Sequence, residues 1–307
     1  MTFRFVRTGA AFASTALLLL LIALGAGAGG GAAGAAHTTR IRAATTAPDC
    51  GPSIKKNPWS SWKCTFAEDF DGNALDPAKW VPVTSASSGL TAGPGCFVDS
   101  PNNIAVFGGA LHLTARQEAA PFSCPSSKGN FTTQYTSGQV ATYGKFFQTY
   151  GRFAVRAAFP AATVAGLQST LWLWPENPAA TGAVGEIDFA EWYSSLPDRI
   201  IPYVHYLYDP WSVNTLTGTN VVTNNCQIGD ASAFHEYVAE WSSTSIVVKI
   251  DGQTCLVDHY HPWGTNPFAQ PYFVALSQAL GLGTNAFDPA TTPLPATTTI
   301  DYVRVWK

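Results

Sequence analysis

The chain is 307 residues long, room for one large domain or two ordinary ones, with a net charge of -3 and charged residues at only 12%. That near-neutral balance excludes the basic stripe of a nucleic-acid binder and gives no preference for an anionic partner. Aromatic residues reach 13%, including 10 Trp, a surplus that suits a large core or the flat apolar faces of sugar rings.

The N-terminus has the pattern of an export signal. Arg4 and Arg7 precede an uncharged stretch over 8–36 with a dense apolar run at 16–24. Small residues follow, and Ala33-Gly34-Ala35 or Gly34-Ala35-Ala36 suits a signal peptidase. A membrane anchor is the competing reading, but the run is short for the ~20 apolar residues a span needs. The expected organisation is a signal peptide over 1–36, a flexible Thr/Ala-rich lead-in over 37–49 and a single domain over 50–307. The mature protein is then secreted and free of the membrane. All six cysteines (Cys50, Cys64, Cys96, Cys124, Cys226, Cys255) follow the signal, and an even count in an exported chain points to disulfides. Proximity along the chain suggests Cys50–Cys64, Cys96–Cys124 and Cys226–Cys255. Metal ligation by these cysteines is disfavoured, because no Cys-x-x-Cys pair occurs.

The remainder reads as strands. Leu111, Leu113 and Ala115 alternate with polar residues, and Phe153, Val155, Ala157 and Phe159 repeat the period of two. Ile246, Val248 and Ile250 do so again and run into Asp251-Gly252, a hairpin-turn pair. Alternation returns from Ile300 to the C-terminus, and no stretch after the signal sustains a helical period over three turns. Many strands separated by Gly, Pro and Asn clusters predict an all-β sandwich or barrel.

The chemistry is concentrated in Glu186-Ile187-Asp188-Phe189-Ala190-Glu191. Alternation puts Glu186 and Asp188 on one face but sends Glu191 to the other. One extra residue at Phe189-Ala190, a β-bulge, returns Glu191 to the same face, giving two carboxylates that flank a third. A retaining glycosidase needs two carboxyl groups, one nucleophilic and one serving as acid and then base. A neighbouring anion and burial keep the acid protonated near neutral pH. A solvated acidic strand and a Ca²⁺ site are the competing readings. The apolar neighbours Ile187, Phe189, Ala190 and Trp192 disfavour the former.

The segment resembles the Glu-x-Asp-x-x-Glu signature of glycoside hydrolase family 16. Phe66-Ala67-Glu68-Asp69-Phe70-Asp71-Gly72, then Leu75-Asp76 and Lys79-Trp80, is similar to that family's opening strand. Ser137-Gly138, Tyr150-Gly151-Arg152-Phe153, Phe234-His235-Glu236-Tyr237, Glu240-Trp241, Asp251-Gly252 and Asp301-Tyr302-Val303-Arg304-Val305 follow in the family's order, so the likeness covers residues 64–307. The resemblance implies an all-β, concanavalin A-like jelly-roll β-sandwich with a glycan-binding cleft on its concave face. It implies Glu186 as nucleophile, Glu191 as acid/base and Asp188 as the group between them that holds Glu186. The bulged signature is that of laminarinase-like, agarase-like and carrageenase-like members, which favours a 1,3-linked substrate, and β-1,3-glucan is the expected polysaccharide partner of a monomeric endo-hydrolase. A galactan, a cell-envelope glycan, a transglycosylase and a non-catalytic binding module are the alternatives.

Substrate contacts are expected from Trp172, Gln168, His205 and Gln278. Gln168 stands where laminarinase-like members carry Trp, and Gln278 where they carry Asn. His205 is read either as a partner of Asp188 or as a core histidine, Trp192 as core, and Trp211 and Trp263 as cleft walls. No cofactor is expected for catalysis. The resemblance also implies a structural Ca²⁺ held by Glu68, the Gly109 carbonyl and Asp301.

Overall fold

The period-two pattern is realised as long antiparallel strands. The computed structural model describes residues 47–178, 184–206, 220–260 and 264–307. The expected signal peptide, most of the lead-in, Trp211 and Trp263 lie outside these residues. Asp49–Lys307 forms one unit. Among the described residues the helical pieces are a capped turn at Ser85–Ser88 and a 3-10 turn at Gly283–Asn285.

The main strands in chain order are β1 (Cys64–Glu68), β2 (Ile104–Phe107), β3 (Ala110–Cys124), β4 (Phe131–Ala141) and β5 (Gly151–Ala158). Then come β6 (Leu167–Pro175), β7 (Glu186–Tyr193), β8 (Tyr203–Tyr206), β9 (Asn220–Thr223) and β10 (His235–Trp241). The last are β11 (Ile246–Ile250), β12 (Gln253–Asp258), β13 (Tyr272–Leu280) and β14 (Ala296–Trp306). Twelve of them form one continuous hydrogen-bonded ribbon in the order β9-β8-β7-β6-β13-β4-β3-β14-β5-β10-β11-β12, while β1 pairs with β14 and β2 with β3 off this path. The strands from β9 to β4 make one layer and those from β3 to β12 the other, the jelly-roll sandwich that the family resemblance implies. Neighbours in the ribbon are often distant in sequence, such as β13 between β6 and β4, as a jelly roll requires.

One apolar core joins the layers. Leu171, Leu173, Ile187, Phe189, Trp192 and Leu276 meet Leu113, Phe153, Val155, Tyr237, Ile246 and Val303 within it. β6 shows the alternation cleanly: Leu167, Ser169, Leu171, Leu173 and Pro175 are buried, whereas Gln168, Thr170, Trp172 and Trp174 are half-buried on the opposite face. A polar bridge crosses this core. Ser169 donates to Gln278 Oε1 at 2.7 Å, and Thr298 of β14 donates to the same oxygen at 2.7 Å. Gln278 Nε2 donates to the Ala279 carbonyl at 3.0 Å, so its amide is satisfied in the interior.

Two turn details follow from backbone sterics. Asp251 and Gly252 have φ of 48° and 78°, so both centres of the β11–β12 turn are left-handed and match the strand twist. Gly138 on β4 lies against the Asn103 carbonyl, where any Cβ would collide.

The three disulfides are Cys50–Cys64, Cys96–Cys124 and Cys226–Cys255, the pairing that proximity suggests. The second closes a sequence separation of 28 residues between the short strand beside β4 and the end of β3. Replacing Cys96 and Cys124 together by Ser is expected to cost about 3–4 kcal/mol through regained unfolded-state entropy. Urea unfolding measures it, and an unchanged midpoint at unchanged slope would refute the estimate.

Candidate active site

β7 has one face in the core and one face on the site. Ile187, Phe189, Ala190 and Trp192 are fully buried, and Trp192 stacks on Phe159 with centroids 5.9 Å apart. Against β6 the register runs Leu173↔Ile187 and Trp172↔Asp188, then shifts to Leu171↔Ala190 and Thr170↔Glu191. Phe189 is therefore the extra, unpaired residue, at the position where the sequence calls for a bulge. Five steps along β7 count as four along β6, so Glu186, Asp188 and Glu191 share the face of Trp172 and Thr170.

The neighbouring strand completes the cluster. His205 on β8 lies opposite Glu186, and its Nε2 is 3.2 Å from Asp188 Oδ2. Of the two readings of this histidine, the structure gives the contact with Asp188. Tyr203, opposite Asp188, stacks on His205 with 5.3 Å between centroids. On the other side Glu191 Oε1 accepts two hydrogen bonds, from Gln168 Nε2 at 2.8 Å and from the Tyr193 hydroxyl at 2.9 Å. Trp172 and Trp174 meet edge to face at 6.1 Å and pack against Phe273, Ala275, Val81 and Val83 on the same face.

Burial governs the titration of the acids. Asp188 is 4% exposed and Glu191 7%. Removal from water pushes Glu186 well above the usual carboxylate range, the Asp188 charge pushes it further, and His205 opposes them. Asp188 is raised chiefly by burial. Glu191 is pushed up to about 8 by burial and then by Asp188, while the bonds from Tyr193 and Gln168 pull it down. The Tyr193 hydroxyl is itself pushed up by burial and by Glu191, so it stays a proton donor. The face thus offers an acid that is protonated at neutral pH, a second carboxyl for attack on carbon, and a third between them.

Two sequence expectations are corrected. Gln278 is 0% exposed and points into the sandwich, because it lies opposite Ser169, a core-facing position of β6. It is an interior bridge and not a sugar contact; Ser277, opposite Thr170, is the residue of β13 on the site face. The calcium set does not fit either. Glu68 is paired with Lys79 at 3.2 Å and accepts the Phe70 N–H at 3.0 Å, and Asp301 is paired with Arg156 at 2.5 Å. Both carboxylates are neutralised by cationic side chains, whereas a calcium cage needs several oxygens turned to one ion. Gly109 sits in the turn between β2 and β3. Elsewhere among the described residues, Glu186, Asp188 and His205 bring ligand atoms within 4.8 Å of one another. An imidazole is not a calcium ligand, and His205 Nε2 is engaged with Asp188 at 3.2 Å, so the cluster reads as acid–base machinery.

Tyr193 and Tyr203 are site residues that the sequence reading missed. Each is two positions from a singled-out residue (Glu191 and His205), and the period of two was the available signal.

Residues 98–304 match the family model described as Glycosyl hydrolases family 16. The chain belongs to that family. It is similar to glucan endo-1,3-beta-glucosidase A1 of Niallia circulans, 29% identical over 79% of this chain and 37% of that protein. It also resembles the beta-glucanase of Rhodothermus marinus, 28% identical over 80% of this chain and 85% of that one. Among solved structures, the laminarinase catalytic domain of Thermotoga petrophila superposes with a TM-score of 0.66 at 25% identity, covering 80% of this chain and 98% of that one. The chain spans little more than a third of the Niallia protein.

The raised Glu191 couples folding to pH. Its folded value near 8 exceeds the ordinary glutamate value of about 4.5, so the folded state binds more protons between them and stability falls as pH rises through that window. Relative to wild type, Glu191→Gln is expected to gain roughly 3–5 kcal/mol between pH 4 and pH 9. Denaturant unfolding at both pH values measures this, and parallel pH profiles for the two proteins would contradict the assignment.

Proposed function

We propose that the chain is an exported, retaining endo-hydrolase of β-1,3-glucan. The observation that carries this reading is the pair Glu186 and Glu191 on one face of β7, either side of Asp188, with Glu191 held near 8.

The mechanism is a double displacement. In the first step Glu191 gives its proton to the glycosidic oxygen as the bond from that oxygen to the anomeric carbon breaks. Glu186 attacks the same carbon from the opposite side, forming a glycosyl ester and releasing the chain on the leaving side. In the second step the Glu191 carboxylate takes a proton from water, the water oxygen bonds to the anomeric carbon, and Glu186 departs as a carboxylate. Two inversions retain the β configuration. Asp188 holds a proton between itself and Glu186, since three neighbouring carboxyls, two of them buried, cannot all ionise together. His205 fixes Asp188 from β8. Trp172 and Trp174 supply apolar faces on which pyranose rings stack.

The substrate class rests on the names of the Niallia and Rhodothermus relatives. One observation favours a second reading: Gln168 occupies a place that carries Trp in laminarinase-like enzymes, which suits a different sugar, such as a galactan or a cell-envelope glycan, under the same chemistry. Export rests on the leader over residues 1–36 and on three disulfides, which persist in oxidising compartments.

A polysaccharide panel (laminarin, curdlan, lichenan, agarose, carrageenan, arabinogalactan) decides the substrate. Laminarin is expected to be shortened, with Glu186→Ala lowering the rate on the order of 10⁴-fold or more, the scale for a lost covalent nucleophile. Proton NMR is expected to show the β anomer first. No shortened polymer, or net inversion, would overturn the proposal.

A further inference from the structure

The two hydrogen bonds on Glu191 converge on a single oxygen. Gln168 Nε2 reaches Oε1 at 2.8 Å from β6, and the Tyr193 hydroxyl reaches it at 2.9 Å from the same strand as Glu191. Gln168 and Tyr193 lie directly opposite each other in the β6–β7 register, so both donors come from one row of the sheet. Gln168 Nε2 also lies 3.5 Å from the Tyr193 oxygen, which closes the group into a triangle.

We propose that Gln168 and Tyr193 form a two-donor clamp that positions Glu191 and selects which of its oxygens carries the catalytic proton. The inference rests on Glu191 being the acid/base. An oxygen accepting two hydrogen bonds has no lone pair left for a proton of its own. Oε1 is therefore the carbonyl oxygen of the acid form, and the transferable proton sits on Oε2. In the second step the same Oε2 takes the proton from water while Oε1 stays held, so proton donor and proton acceptor are one atom. Gln168 is in this account a positioning residue and not a sugar contact.

The clamp has a thermodynamic consequence. Both donors favour the carboxylate over the acid, against burial and the Asp188 charge. The charged or titratable groups facing Glu191 among the described residues are Glu186 and Asp188 on its own strand and His205 and Tyr203 on β8, besides Tyr193. β6 presents Gln168, Thr170, Trp172 and Trp174 to this face and no ionisable group. Removing either donor leaves the opposing charges in place and raises the proton affinity of Glu191.

The test compares wild type with Gln168→Leu and Tyr193→Phe. The pH profile of kcat/KM on soluble β-1,3-glucan is expected to keep its acidic limb, while the basic limb moves up by about one unit in each variant. KM is expected to stay within about twofold, whereas loss of a sugar contact would raise it. A second readout needs no substrate: the ¹³C carboxyl signal that disappears in Glu191→Gln is titrated in full-length wild type and in each folded variant. Its midpoint is expected to rise by the same unit. Midpoints that do not move overturn the clamp, even if activity falls. Moved midpoints in a protein that cleaves no glucan uphold the clamp and overturn the proposed function instead. If Gln168→Leu does not fold, Tyr193→Phe, which keeps the ring, decides alone.

Discussion

A strand has two faces and a period of two, and β7 must serve a core on one face and three carboxyls on the other. The bulge at Phe189 is what makes those demands compatible. Before it, Ile187 points inward and Glu186 and Asp188 outward; after it, Trp192 points inward and Glu191 outward. Without the extra residue, either Glu191 would enter the core or Trp192 would leave its place on Phe159. Full burial of Ile187, Phe189, Ala190 and Trp192 makes either slip costly, so the core pins the register and the register places the acids.

The same burial creates the chemistry. Three carboxyls held beside one another and largely out of water resist ionising, and the surroundings then distribute what ionisation remains. His205 contacts the middle acid, and the Gln168 and Tyr193 donors act on the last. Burial raises the proton affinity of all three acids, and their partners differ along a single strand: His205 opposes the rise at Glu186, and Gln168 and Tyr193 oppose it at Glu191. The raised Glu191 also destabilises the fold at high pH, where the buried carboxyl must ionise.

Much of this was legible in the sequence because strand geometry is local. The alternation in β3, β5 and β11, the Asp251-Gly252 turn, the inward Trp192 and the bulge all follow from a period of two and from turn sterics. The disulfides followed proximity. What failed was non-local. Gln278 was expected in the cleft by position in a family pattern, but its face depends on pairing with Ser169, more than a hundred residues away. The carboxylates of Glu68 and Asp301 read as open ligands until the fold brought Lys79 and Arg156 to them. Tyr193 was within reach of the parity argument, but a tyrosine in an apolar strand carries no chemical signal until its hydroxyl has a partner.

The claim on which the account turns is that the bulged strand sets Glu186 to attack the anomeric carbon and leaves Glu191 for the proton. The most direct test is to trap the glycosyl ester with a 2-deoxy-2-fluoro β-1,3-linked glucoside bearing a good leaving group, then map the label by peptide mass spectrometry. The account predicts one sugar per chain, attached to Glu186. Label on Glu191 or Asp188 would contradict it, as would turnover of the reagent with inversion and no attached sugar.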